Sequence, residues 1–148
     1  HPAESWEVSH IGGDRFAGNV LVLPDGLYYG HVSPADASEL ATQHRRGHVS
    51  LDHLRGRSGF GFAIQAAEIY LRKHLAVTGL GAIGLQSHSR RIGIDEAVFR
   101  CGAERWKVRL RRVEADPQLL TCGSRRRNPT YAHELLAIEP HPHTQASS

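Results

Sequence analysis

SHIGGDRFAGNVLVLPDGLYYGHVSP, residues 9–34, is the stretch from which the rest of the chain is read. Two short apolar runs, residues 19–24 (NVLVLP) and 27–32 (LYYGHV), flank Pro24-Asp25-Gly26. Proline pre-sets one turn dihedral and glycine accepts a positive φ, so the two runs are a predicted β-hairpin. The first run is apolar on both faces, which predicts an interior strand. Ser33 then stands as an N-cap, with Pro34 at the first helical position and Asp36 in the first turn. Together they predict a helix over residues 34–46. Gly47 ends it, and Arg45 and Arg46 sit where the helix dipole favours cations. Ahead of the hairpin, His10 and Asp14 are separated by three residues, two of them Gly12 and Gly13. That spacing fits a tight loop wrapped around a ligand. It fits equally a plain turn in which Asp14 caps backbone amides.

Further along, Phe60, Ile64, Ala67, Leu71 and Leu75 recur at intervals of three and four, predicting an amphipathic helix over residues 60–77. Arg72, Lys73 and His74 cluster near its C-terminal end. Residues 48–61 read as irregular and residues 78–96 as loop-rich. Residues 97–101 and 105–113 predict a second hairpin across Gly102-Ala103-Glu104. In its second arm Trp106, Val108 and Leu110 share one face while Lys107, Arg109 and Arg111 share the other. Residues 119–122 read as a short strand, 125–129 as a basic loop, 132–138 as a short element, and 141–148 as a disordered tail. No internal repeat is present.

Length and composition set the outer limits. The chain has 148 residues, 40% of them apolar and 22% charged, which suits one globular domain with a real core. No stretch approaches the roughly 20 apolar residues of a membrane span, so no membrane association is expected. Methionine is missing altogether, and a processed product or a fragment of something longer is expected. A net charge of +3 is compatible with a solvated surface or with docking on an acidic or phosphate-rich partner. Cys101 and Cys122 are too few for a disulfide framework, and a reducing cytoplasm is the expected compartment.

Several chemistries can be set aside on pattern. Residues 79–84 (GLGAIG) spell GxGxxG, but a dinucleotide site needs that loop between a strand and a following helix. Here a predicted helix precedes it and a flexible connector is the better reading. No facing carboxylate pair for glycoside hydrolysis and no GxSxG elbow occur. The eleven histidines form no HExxH or tight His/Cys cluster. Lys107, Arg109, Arg111 and Arg112 make a basic arm and Arg125, Arg126 and Arg127 a basic run. Nucleic-acid binding would want aromatic rings interleaved on that face, whereas Trp106 has the opposite parity, so a solvated face is preferred.

The 9–34 stretch resembles the sucrase/ferredoxin-like family through its glycine pair, strand, Pro-Asp-Gly turn, Tyr-Gly and capped helix. The resemblance continues through LDHLRGRSGFGFAIQAAEIYLR and AHELLAIEP. It implies a thioredoxin-like [2Fe–2S] ferredoxin domain, with His10 on the first ligand position of the loop and Asp14 on the second. Family members carry histidine there; Asp14 is a harder ligand and is also suited to orienting a neighbouring one. The family's ligand cysteines lie upstream of this motif, and Cys101 and Cys122 match neither. The expectation is therefore a cluster in the full-length parent and none in this chain alone. Sucrose hydrolysis is rejected.

The fold expected is α+β. Residues 1–50 would be the C-terminal portion of a thioredoxin-like ferredoxin domain, 51–140 a helix with an antiparallel sheet, and 141–148 a tail. The function expected is electron transfer rather than enzymatic hydrolysis. His10 and Asp14 are the metal ligands, and Gly12 and Gly13 shape a cofactor-binding loop. Lys107, Arg109, Arg111 and Arg112 would form the dock for an acidic redox partner. A sheet edge left unpaired would favour a homodimer. The alternatives are a cluster-free interaction module, and an anion- or nucleic-acid-binding surface.

Overall fold

A computed structural model describes residues 5–8, 11–118 and 128–142. Among these the chain forms two helices and two antiparallel sheets, an α+β architecture as expected. The hairpin is present: β1 (Val20–Val22) pairs with β2 (Leu27–Tyr29) in the register Val22↔Leu27, with Gly26 at φ +64° in the turn. The interior strand, however, is β2 and not β1. The sheet order is β1-β2-β3, with β3 (Leu54–Arg57) on the far side of β2. Leu27 and Tyr29 are fully buried, whereas β1 is half-buried throughout and Leu23 is exposed. Apolarity on both faces therefore did not mark a central strand, because Val20 and Val22 meet the core from an edge position.

The third strand lies in the stretch expected to be irregular. LRGR carries no apolar alternation beyond Leu54, so its sequence hides the period of two, although Leu54 and Gly56 alternate as buried positions with Arg55 and Arg57. Gly56, at φ +122°, is required there: a Cβ would lie 2.6 Å from the Gln65 side chain. This first sheet thus runs past residue 50.

The first helix, α1 (Pro34–Arg45), starts as read. Ser33 Oγ accepts from the Asp36 amide at 3.3 Å while the Asp36 carboxylate accepts from the Ser33 amide at 3.1 Å, a reciprocal capping box. The second, α2 (Phe62–Leu75), buries Ala67 and Leu71 of the predicted stripe against Ile83, Ala97, Phe99, Val108 and Leu110. Full burial of a side chain such as Leu71 is worth about 2 kcal/mol. Ile69, on another side of α2, reaches the core of Leu27, Tyr29, Leu40, Val49 and Leu54. The helix therefore belongs to both cores.

The second sheet is a meander of β4 (Ile83–Arg91), β5 (Ile94–Cys101), β6 (Glu104–Gln118) and β7 (Asn128–Pro140). Three expectations are corrected by it. Residues 83–91 form a nine-residue strand rather than a loop. Its later part, QSHSRR, is exposed, so its polarity erased the strand pattern while backbone pairing to β5 holds it in place. The short element at 132–138 is part of a thirteen-residue strand. That strand begins at Asn128 and Pro129, which were assigned to the basic loop. The hairpin across Gly102 and the inward parity of Val108 and Leu110 hold. The strand expected at 119–122, with Cys122, the run Arg125–Arg126–Arg127 and residues 143–148 lie outside the described residues.

Candidate functional site

The glycine loop is built in front of the hairpin and tied to it. Gly12 and Gly13 adopt φ +82° and +73°, a backbone that L side chains rarely accept. The Tyr28 hydroxyl donates to the carbonyls of Ile11 and Gly12, the latter at 3.1 Å. Asn19, one residue before β1, donates from Nδ2 to the carbonyls of Gly12 at 3.1 Å and Gly13 at 2.9 Å. Three consecutive carbonyls are thereby turned toward the hairpin. The loop closes in a single 3-10 turn, Asp14–Phe16, with the Phe16 amide donating to Gly13 at 2.8 Å.

His10, the first expected ligand, lies outside the described residues, and so does the side chain of Asp14, whose backbone opens the 3-10 turn. The described residues add a cluster that reading the sequence did not identify. Phe16 is flanked by two guanidinium groups, Arg55 at 4.3 Å and Arg15 at 4.6 Å from its ring centroid. His31 meets the same ring edge-on at 5.6 Å, and its amide donates to the Phe16 carbonyl. His53 holds the next layer, with Nδ1 3.3 Å from the Gly30 carbonyl and Nε2 3.9 Å from Asp36. Burial, and then the charge of Arg15, push Arg55 below the ordinary arginine value. Arg15 and Phe16 directly follow the glycine pair, and that adjacency was the available signal; Arg55 is brought in by β3, which sequence reading had missed.

The ligand inventory is incomplete for a metal centre. Among the described residues no three His, Cys, Asp or Glu side chains come together to hold a metal ion. The described cysteine, Cys101, is free and ends β5 in the other sheet, paired with Ile83 and Glu104. The surroundings of the loop suit a negatively charged group, but the described donors do not supply the thiolates that an iron–sulfur cluster takes.

The expected docking residues divide between two faces. Lys107 and Arg109 lie on the face of the second sheet away from α2 and are paired with Glu139 at 3.5 Å and Glu96 at 3.1 Å. Arg111 shares their parity and is exposed. Arg112 has the opposite parity and stacks on Tyr131 at 3.5 Å. The register adds Arg91, Arg100 and Arg105 to the outer face, with Arg100 directly opposite Arg105.

Two buried polar groups were also missed. Arg72 and Glu68, at 0% and 1% exposure, pair at 2.9 Å between the two cores, and Arg57 joins Glu68 at 3.3 Å. Arg72 donates to the carbonyls of Val77, Gly79 and Leu80, and Arg57 donates to Leu80 at 2.8 Å. The GxGxxG segment is therefore a strapped connector that leads directly into β4 and not into a helix. On the second sheet, the two Asp95 oxygens share the single Nε–H of Arg90 at 3.1 and 3.0 Å, Oδ2 accepts from its Nη2 at 2.8 Å, and Oδ1 lies 2.8 Å from His88 Nε2. Burial raises the Asp95 carboxyl, but its hydrogen bonds from Arg90 and His88 outweigh that and hold it below the usual range.

Comparison with known proteins matches residues 2–56 to the family described as sucrase/ferredoxin-like. The matched part holds the glycine loop, the hairpin, α1 and most of β3, and ends before α2. No curated protein and no solved structure matches the chain.

Proposed function

We propose, on the match of residues 2–56 to the sucrase/ferredoxin-like family, that the chain is part of an electron carrier whose glycine loop borders a [2Fe–2S] centre in the native polypeptide. The observation that carries this reading is the loop itself. Two positive-φ glycines are clamped by Tyr28 and Asn19 beside two converging guanidinium groups, inside the matched segment. In this reading His10 contributes an imidazole ligand, and Asp14 is either a second ligand or the acceptor that orients one. The hairpin and α1, in the manner of a thioredoxin-like domain, form the scaffold. Imidazole ligation to one iron would raise the potential as in Rieske centres and make it depend on pH. The thiolate ligands would come from sequence other than the described residues.

The outer face of the second sheet is the proposed dock for an acidic redox partner. Arg91, Arg100 and Arg111 are exposed charges on it, with Lys107 and Arg109 partly neutralised by Glu139 and Glu96. The edge of β1, which pairs only with β2 among the described residues, is where a second copy could add a strand. No helix among the described residues is long and apolar enough to cross a membrane, and a cytoplasmic carrier is the proposed setting.

One observation favours a second reading, a cluster-free interaction module that retains the scaffold: no complete donor set is found among the described residues. Purification of the native polypeptide without air separates the two. The carrier contains iron and acid-labile sulfide in equal amounts and is brown. A colourless, iron-free preparation supports the module.

A further inference from the structure

We propose that the Phe16 loop is a binding site for a compact anion, gripped by the guanidinium of Arg55 with Arg15 beside it. Arg55 and Arg15 both lie against the Phe16 ring, and the charge of Arg15 works against that of Arg55. Stacking on Phe16 offsets part of the cost but uses none of the N–H donors of Arg55. Arg55 Nε is buried with no hydrogen-bond partner, and no carboxylate among the described residues pairs with this side chain. Arg57, two residues along the same strand, is the contrast: it meets Glu68 at 3.3 Å. Asp36, which lies beside His53 near this cluster, is spent on the Ser33 cap.

The backbone is shaped to let this happen. At Gly30 a Cβ would stand 2.9 Å from Phe16 Cβ and 3.0 Å from Arg55 Nε, so the pair can meet there only over a bare Cα. The loop carbonyls of Gly12 and Gly13 are already occupied by the Tyr28 and Asn19 donors. A half-buried guanidinium whose planar fork is unspent suits a ligand with several acceptor oxygens or sulfurs and at least one negative charge. Two sources share that chemistry: a free oxyanion such as inorganic phosphate, and the sulfide-bearing face of an iron–sulfur centre. The second source rests on the electron-carrier reading; the first does not.

The test is a titration of iron-free protein with inorganic phosphate at low ionic strength, followed by NMR of backbone amides and arginine Nε–H groups. Saturable shifts in residues 12–16 and at Arg55 Nε are expected. Arg55→Gln should weaken binding by about tenfold, as loss of one charge-assisted contact does. Arg15→Gln, on an exposed residue, should weaken it less and carries the test if the first variant does not fold. No saturable shift, shifts confined to the outer face of the second sheet, or affinity unchanged in both variants would overturn the proposal. If iron-loaded native protein loses phosphate binding, the cluster occupies the same site; if it binds phosphate as before, the free oxyanion is the ligand. An iron-free native protein would end the carrier reading and leave the phosphate result standing.

Discussion

Asp95 shows how one residue couples the second sheet to pH. Its carboxylate is 2% exposed and carries Arg90 and His88, both of which still reach water. Because those partners can resolvate, Asp95→Asn should cost only about 1.5–3 kcal/mol, the worth of hydrogen bonds to a charged group. Urea unfolding at neutral pH measures it. His133, on the same face, is held below the ordinary histidine value by burial first, while the Asp95 charge opposes and Arg90 and Arg112 add to the lowering. Both Asp95 and His133 have folded values below their unfolded ones. Each therefore contributes stability that is present above its unfolded value and lost as pH falls toward its folded value. Between about pH 7 and pH 5 the histidine contribution is the one that declines, because an unfolded imidazole titrates there. The urea midpoint should fall over that interval in wild type and fall less in His133→Gln. Equal slopes would remove His133 from the account.

At the scale of elements, α2 is the piece on which both cores depend, and its polar residues matter as much as its stripe. Arg72→Ala would leave Glu68 with Arg57 alone and remove one donor from each of three carbonyls in the connector to β4, of which Leu80 keeps Arg57 and Gly79 keeps the Ala82 amide. Loss of one partner from so buried a pair should cost about 3–5 kcal/mol, read from denaturant midpoints. Replacing Glu68 and Arg72 together by leucine should cost less than Arg72→Ala, because only the part-buried Arg57, which still donates to Leu80, then loses its carboxylate. What was legible in the sequence follows the same division. The Pro24-Asp25-Gly26 turn, the Ser33 cap and the α2 stripe could be read because local chemistry alone determines them. β3 and β4 could not: their strand character comes from pairing with β2 and β5, and their arginines, glycines and serines carry no period of two. The burial of Glu68 and Arg72 was not legible either, because it depends on elements distant in sequence from α2. At the candidate site the glycine pair was legible, whereas the Arg55–Phe16 contact was not, since it depends on a strand that sequence reading did not find.

For the molecule as a whole, among the described residues, arginines gather both beside the glycine loop and on the outer face of the second sheet. If the outer face receives an acidic partner, Arg109→Glu with Arg111→Glu should slow reduction by such a donor severalfold at low salt, with the difference shrinking as salt is added. Stopped-flow reduction at two ionic strengths measures this, and unchanged rates would dispose of the dock. The more central claim is that the glycine loop helps to hold an iron–sulfur centre. Its most direct test is the iron and acid-labile sulfide content of the native polypeptide, purified without air, beside its His10→Ala variant. Equal iron and sulfide in the wild type, with most of both lost in the variant, is the expected result. A wild type free of iron, or a variant that retains as much iron as the wild type, would contradict it.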